Sequence, residues 1–167
     1  TIITLPGVPS EMKEMYTCSV LPWLKKNRKE EGIIHSKLLK FTGISESLLA
    51  EKANDLMSRD NPTISPYASL GEVSLRVTAK AENLNKANKL IEPIEYDLIN
   101  RFRSYYYGQD EETLPLVIIN SLKKLGQTLS IAESCTGGGL GAALTSIPGA
   151  SDVFLGGVIA YNDSIKN

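Results

Sequence analysis

Hydroxyls, a thiol and glycines crowd together in Glu133-Ser134-Cys135-Thr136-Gly137-Gly138-Gly139, between an apolar run over 128–132 and small residues over 140–146. A strand, turn and helix in that order expose unpaired N–H groups at the helix start, and glycine lets a ligand approach the backbone closely. Such a turn can receive an anion or an oxyanion. With Ser134, Cys135 and Thr136 in the same turn, a nucleophile can stand beside those donors, as acyl transfer requires. The same letters also make a tight structural turn with serine as N-cap. Ser151, Tyr161 and Lys166 form a second set, drawn toward the turn if a strand over 153–161 lies beside 128–132. Such residues hydrolyse without histidine when burial or nearby positive charge makes the lysine a base and the tyrosine relays the proton. Taken singly, they also read as a core tyrosine and a surface lysine.

Other chemistries fit less well. No lysine follows the glycines, so the turn is not a Walker A loop, and Gly137 to Gly141 lack the dinucleotide register. The loop Pro6-Gly7-Val8-Pro9-Ser10-Glu11 ends one apolar run and starts a helix, a place where open α/β sheets bind ligands; it reads equally as a rigid turn. Tyr105-Tyr106-Tyr107 carries no interleaved basic residues, so it reads as a helix end and domain-contact surface rather than a stacking platform for RNA. A KH-type RNA grip needs a GxxG loop between two helices, whereas Gly138 to Gly141 follows a strand.

The single histidine, His35, excludes a multi-histidine metal site and reads as a solvated loop residue. Cys18 and Cys135 stand far apart, which excludes a disulfide framework and a Cys-rich zinc site. Cys135 is expected to be structural, since nothing near it in sequence would activate the thiol. Lys and Arg number 18 against 19 Asp and Glu, a net charge of −1, so no broad positive field holds nucleic acid or anionic lipid. Apolar runs fall short of the roughly 20 residues of a membrane span. These features predict a reducing, cytoplasmic setting.

The elements that position these residues fall into three stretches. In the first, 1–33, residues 1–5 read as a strand, Ser10 stands where a helix N-cap would, and Met12, Met15, Tyr16 and Ser19 recur at helical spacing until Pro22. The charge run from Lys25 to Gly32 reads as a solvated linker. The second stretch, 34–108, predicts a strand over 36–42, a helix over 45–58, strands over 63–67 and 73–79, and a long helix from Leu84 to Phe102 kinked at Pro93. Both helices should cover one face of the sheet. The third, 109–167, opens on an acidic linker, then a helix through Leu116, Ile119, Leu122 and Leu125 to Gly126, a strand over 128–132, a helix over 140–146 and a strand over 153–161.

Leu5-Pro6-Gly7-Val8-Pro9-Ser10-Glu11-Met12, Ala132-Glu133-Ser134-Cys135-Thr136-Gly137-Gly138, Pro148-Gly149-Ala150-Ser151 and Tyr161…Lys166, in this order, resemble the CinA family over the whole chain. The resemblance implies a mixed α/β and α+β protein in three parts. Residues 1–33 would be the end of a molybdopterin-binding-like α/β domain with ADP-ribose pyrophosphatase activity. Residues 34–108 would be a complete KH-like α+β domain, and 109–167 the start of an α/β amidase domain converting nicotinamide mononucleotide to nicotinic acid mononucleotide. It further implies no cofactor for the amidase, a divalent metal for the pyrophosphatase with ligands outside this chain, and a homodimer without membrane or nucleic-acid partners.

Site roles follow from chemistry and resemblance together. Ser151 is the first candidate nucleophile with Tyr161 and Lys166 as proton relay, and Ser134 is the runner-up. Glu133, Thr136, Gly137 and Gly138 are expected to bind substrate, through hydroxyls and helix N-terminal amides, and Gly7, Pro9, Ser10 and Glu11 to face a nucleotide phosphate. The alternative is a non-catalytic scaffold whose KH-like domain spaces two catalytic units. On the enzyme reading that the resemblance implies, both outer parts are expected to continue beyond 1–167, the chain alone to be inactive, and 34–108 to be the protease-resistant unit.

Overall fold

The computed structural model describes residues 1–27, 32–69 and 71–166, so the linker reading at Arg28-Lys29-Glu30-Glu31 falls outside the described residues. Residues 1–5 form no strand: a β-branched run needs a neighbour to satisfy its ladder, none among the described residues pairs with it, and Ile2 is 93% exposed. Helix α1 (Pro9–Met15) starts two residues earlier than a Ser10 N-cap predicts. Val8 is its N-cap and Pro9 fills the first turn, where a missing N–H costs nothing. Nor does Pro22 stop the helix. A π-helical turn at Tyr16–Val20, closed by the Leu21 N–H on the Tyr16 carbonyl five residues back, leads into α2 (Leu21–Asn27) and places Pro22 in its first turn. No residue of these three segments is buried.

The middle of the chain folds as a four-stranded antiparallel sheet of order β2-β3-β1-β4, with β1 at Ile33–Phe41, β2 at Thr63–Ser69, β3 at Glu72–Ala81 and β4 at Tyr106–Gln109. Alternation sets the register: Leu39 faces Leu75, Phe41 faces Val73 and Ile64 faces Val77, all buried. Helix α3 (Glu46–Met57), capped by the Ser45 hydroxyl, contributes Leu49, Ala53 and Leu56 to the core. Helix α4 (Leu84–Arg101), capped by Asn83, contributes Ala87, Ile91, Ile94 and Leu98 and runs continuously through Pro93. Both helices share one core with the same sheet face.

Two local readings change here. His35 pairs with Ala79 inside β1 and is half-buried, not a loop residue. Tyr106 and Tyr107 leave the helix to form β4 on the edge of β1. The Tyr106 ring meets Phe41 edge-on at 5.9 Å, which explains why an aromatic run can close a sheet.

Helix α5 (Leu114–Leu125) begins at a Thr113 N-cap and ends at Gly126, whose φ of 64° is the left-handed conformation a helix stop requires. Strand β5 (Leu129–Glu133), helix α6 (Gly139–Thr145) and strand β6 (Phe154–Ile159) then make a parallel β-α-β unit. Ile119, Leu144, Ala150 and Val153 form its buried cluster. The one-turn helix α7 (Asp163–Lys166) follows. No described helix is long and apolar enough to cross a membrane.

Candidate active site

Because β5 and β6 are parallel and, after a register shift between Leu129 and Ser130, pair continuously from Ser130 beside Gly156 to Glu133 beside Ile159, their carboxyl ends coincide. Chain leaving β5 enters Ser134, and chain leaving β6 enters Ala160 and Tyr161. The Ala160 N–H donates to the Glu133 carbonyl at 2.8 Å, tying the two exits together. Gly137 and Gly138 have φ of +59° and +110°, which favour glycine at both. A methyl group on Gly137 would lie 3.9 Å from the Tyr161 ring, and one on Gly138 would lie 3.0 Å from Cδ1 of Ile159. The glycine turn is therefore covered by the residues that end β6.

The anion at the start of α6 is the protein's own. Glu133 is buried, and its Oε2 accepts from the Thr136 hydroxyl, the Leu140 N–H at 2.9 Å and the Gly138 N–H at 3.2 Å. Its Oε1 accepts from the Gly141 N–H at 2.8 Å. A carboxylate offers about four acceptor sites, so this one is saturated from within. The Thr136 hydroxyl and the three amides hold the Glu133 carboxyl below the ordinary carboxylate range, against the opposing effect of burial. Glu133, the Thr136 hydroxyl and the Gly138 amide, all expected to bind substrate, are engaged with one another inside the chain, together with the amides of Leu140 and Gly141. The Gly137 N–H is likewise taken by the Ser134 carbonyl.

What remains open is smaller. Ser134 is half-buried and its hydroxyl has no hydrogen-bond partner among the described residues, and the same is true of the amides of Cys135 and Thr136. Cys135 is exposed. Tyr161 is 70% exposed, so it is not a core tyrosine. Lys166 is exposed and pairs with Asp163 at 2.9 Å, so the burial that would make it a base is not present in this arrangement.

Ser151 lies elsewhere. It sits in a short helical turn, Ala150–Asp152, at the amino end of β6, beside a cavity of about 310 Å³ lined by Thr145, Ile147 and Phe154. The Lys123–Asp152 ion pair, 2.8 Å, holds that turn to α5. The six residues of β6 separate it from Tyr161 by on the order of 16 Å. A set of Ser151, Tyr161 and Lys166 is therefore not assembled in this arrangement, because Ser151 precedes β6 and Tyr161 follows it, at opposite ends of the extended strand.

At the other end of the chain, Gly7, Pro9, Ser10 and Glu11 are all exposed, and no described atom comes within 4 Å of a methyl group placed on Gly7. Among the described residues no group of three or more His, Cys, Asp or Glu converges to hold a metal ion. These residues do not by themselves fit a divalent metal.

The family model for the damage-inducible protein CinA KH domain matches residues 36–108, and that for the CinA C-terminal domain matches 111–167. A CinA-like protein from a strain of Prochlorococcus marinus is 57% identical over 166 residues, 99% of this chain and 39% of that protein. One from Gloeothece citriformis is 51% identical over 167 residues, 100% of this chain and 40% of that protein. One from Parasynechococcus marenigrum is 51% identical over 166 residues, 99% and 40%. The chain spans about 40% of the length of the curated relatives it matches.

Proposed function

The chain belongs to the CinA family, and from that premise we propose that Ser134, Tyr161 and Lys166 serve a nicotinamide-nucleotide amidase. The reaction is hydrolysis of the carboxamide of nicotinamide mononucleotide to nicotinic acid mononucleotide and ammonia. The observation that carries it is the convergence of Ser134 and Tyr161 at the carboxyl ends of two adjacent parallel strands, with the Tyr161 ring over Gly137. Ligands of open α/β sheets bind beyond that end. Ser134 therefore replaces Ser151 as the nucleophile.

In the proposed reaction Ser134 Oγ bonds to the carboxamide carbon as its proton passes through the Tyr161 hydroxyl to the Lys166 amine. Lys166 must first leave Asp163, an exposed ion pair of a kind that contributes under about 1 kcal/mol, and give up one proton to water, so that its neutral amine can accept the proton from serine. The negative oxygen meets the amides of Cys135 and Thr136; the amide after a nucleophile on a strand-to-helix turn commonly serves this purpose. The C–N bond breaks, nitrogen takes the proton and leaves as ammonia, and water cleaves the ester to give the carboxylate and restore the serine. For the family's first domain, ADP-ribose pyrophosphatase activity is the companion proposal, with Gly7, Pro9, Ser10 and Glu11 near a phosphate.

Ammonia release from nicotinamide mononucleotide by the full-length protein tests the amidase reading. Ser134→Ala should lower kcat by about 10³-fold or more, and Ser151→Ala should leave it within about twofold. Undiminished turnover in Ser134→Ala, or loss in Ser151→Ala alone, overturns the assignment.

A further inference from the structure

Resting on the reading of Ser134 as nucleophile, the geometry points to Glu133 as the positioning residue that sets the conformation of the turn carrying it. One residue controls both sides of Ser134. The Glu133 carbonyl holds the exit of β6 through the Ala160 N–H at 2.8 Å, and Tyr161 is the next residue along. Its carboxylate gathers the Thr136 hydroxyl and the amides of Gly138, Leu140 and Gly141. Ser134 lies between those two anchors, so a large change in its backbone would disturb one of them.

Sequence separation shows why a carboxylate is needed. Its donors lie three, five, seven and eight residues downstream, and together they converge on one buried anion at the positive end of α6. The two left-handed glycines, 137 and 138, supply no side-chain packing to fix the turn. The carboxylate replaces that packing with charge-assisted hydrogen bonds. Glutamine keeps the shape but removes the charge and turns an N–H group toward N–H donors. Aspartate keeps the charge but is one methylene too short to reach all four.

The test compares wild type, Glu133→Gln and Glu133→Asp in the full-length protein, using nicotinamide mononucleotide turnover and deuterium uptake of the peptide spanning 134–141. We expect Glu133→Gln to lose about 10²-fold in kcat, the scale of a misplacement near 1 Å, with KM within about threefold and faster uptake in that peptide. Glu133→Asp should recover part of the rate and part of the protection. A raised KM with kcat maintained would make Glu133 a substrate contact and overturn the proposal, as would unchanged uptake in both variants. If wild type releases no ammonia while uptake still rises in Glu133→Gln, the amidase reading fails and the hold of Glu133 on the turn stands.

Discussion

The unit built on β1 to β4 holds the large buried core, and the unit built on β5 and β6 holds the candidate site. In the first, fifteen buried hydrophobic residues close a four-stranded sheet under two helices. In the second, four buried residues support two strands, yet Ser134, Tyr161 and Lys166 all lie there. The first unit buries nearly every apolar position its strands alternate inward, whereas Leu155, Val158 and Ile159 of β6 stay between 51% and 69% exposed. A large core fixes a scaffold, and a small one leaves strand ends accessible where a ligand can reach backbone and hydroxyls.

The largest expected effect follows from that difference. Phe41 is fully buried and meets Phe102 edge-on at 5.6 Å, so Phe41→Ala should cost about 3–5 kcal/mol. Leu144 is also buried, but its cluster is small and has room to relax. Leu144→Ala should therefore fall near about 2–3 kcal/mol, the lower part of the range for such truncations. Urea unfolding of both variants measures this. Equal losses with a single shared transition would break the comparison, because they would mean one cooperative core rather than two.

A smaller effect probes how closely β5 and β6 approach. A methyl group on Gly157 would lie 2.9 Å from the Ile131 backbone carbonyl and 2.5 Å from Cγ1 of Ile131, and backbone cannot move aside as a side chain can. Gly157→Ala should destabilise by about 1–3 kcal/mol, the cost of overpacking, and it should slow ammonia release by separating the two strand ends. Unaltered stability and turnover would show that the strands tolerate a wider spacing than the site requires.

Much of the first unit was legible because period-two burial in β3 and the stripes of α3 and α4 repeat over many residues. Short or solitary elements were not. Strand β4 has four residues, too few for a period to show. Residues 1–5 have a strand's composition without a strand's partner, and pairing is a tertiary fact. In the site, the turn and its glycines were visible in sequence, but the proposed choice of Ser134 over Ser151 rests on Ser134 following the carboxyl end of β5 and Ser151 preceding the amino end of β6. The role of Glu133 was hidden for a different reason. Its donors are mainly backbone amides, which carry no residue-type signal, and they extend to Gly141.

The smallest effect concerns acid. In the first unit the Arg101 guanidinium donates to both carboxylate oxygens of Asp55, at 2.6 and 2.9 Å, and to Asp97, clamping α3 against α4. Hydrogen bonding from Arg101, with its charge adding to it, holds the Asp55 carboxyl below the ordinary 3.8, outweighing the upward push of desolvation. A depressed carboxyl stabilises the fold above its unfolded value, and that contribution disappears as pH falls through the lower folded value. Asp55→Asn should thus lower Tm slightly at pH 7, and the gap from wild type should narrow below about pH 4, where an unfolded aspartate becomes protonated. Deuterium uptake in the 134–141 turn should not respond, since Glu133 anchors it in the other unit. A gap constant from pH 7 to 3 would remove the ion pair as its cause, and a response in the turn would show that the two units are coupled after all.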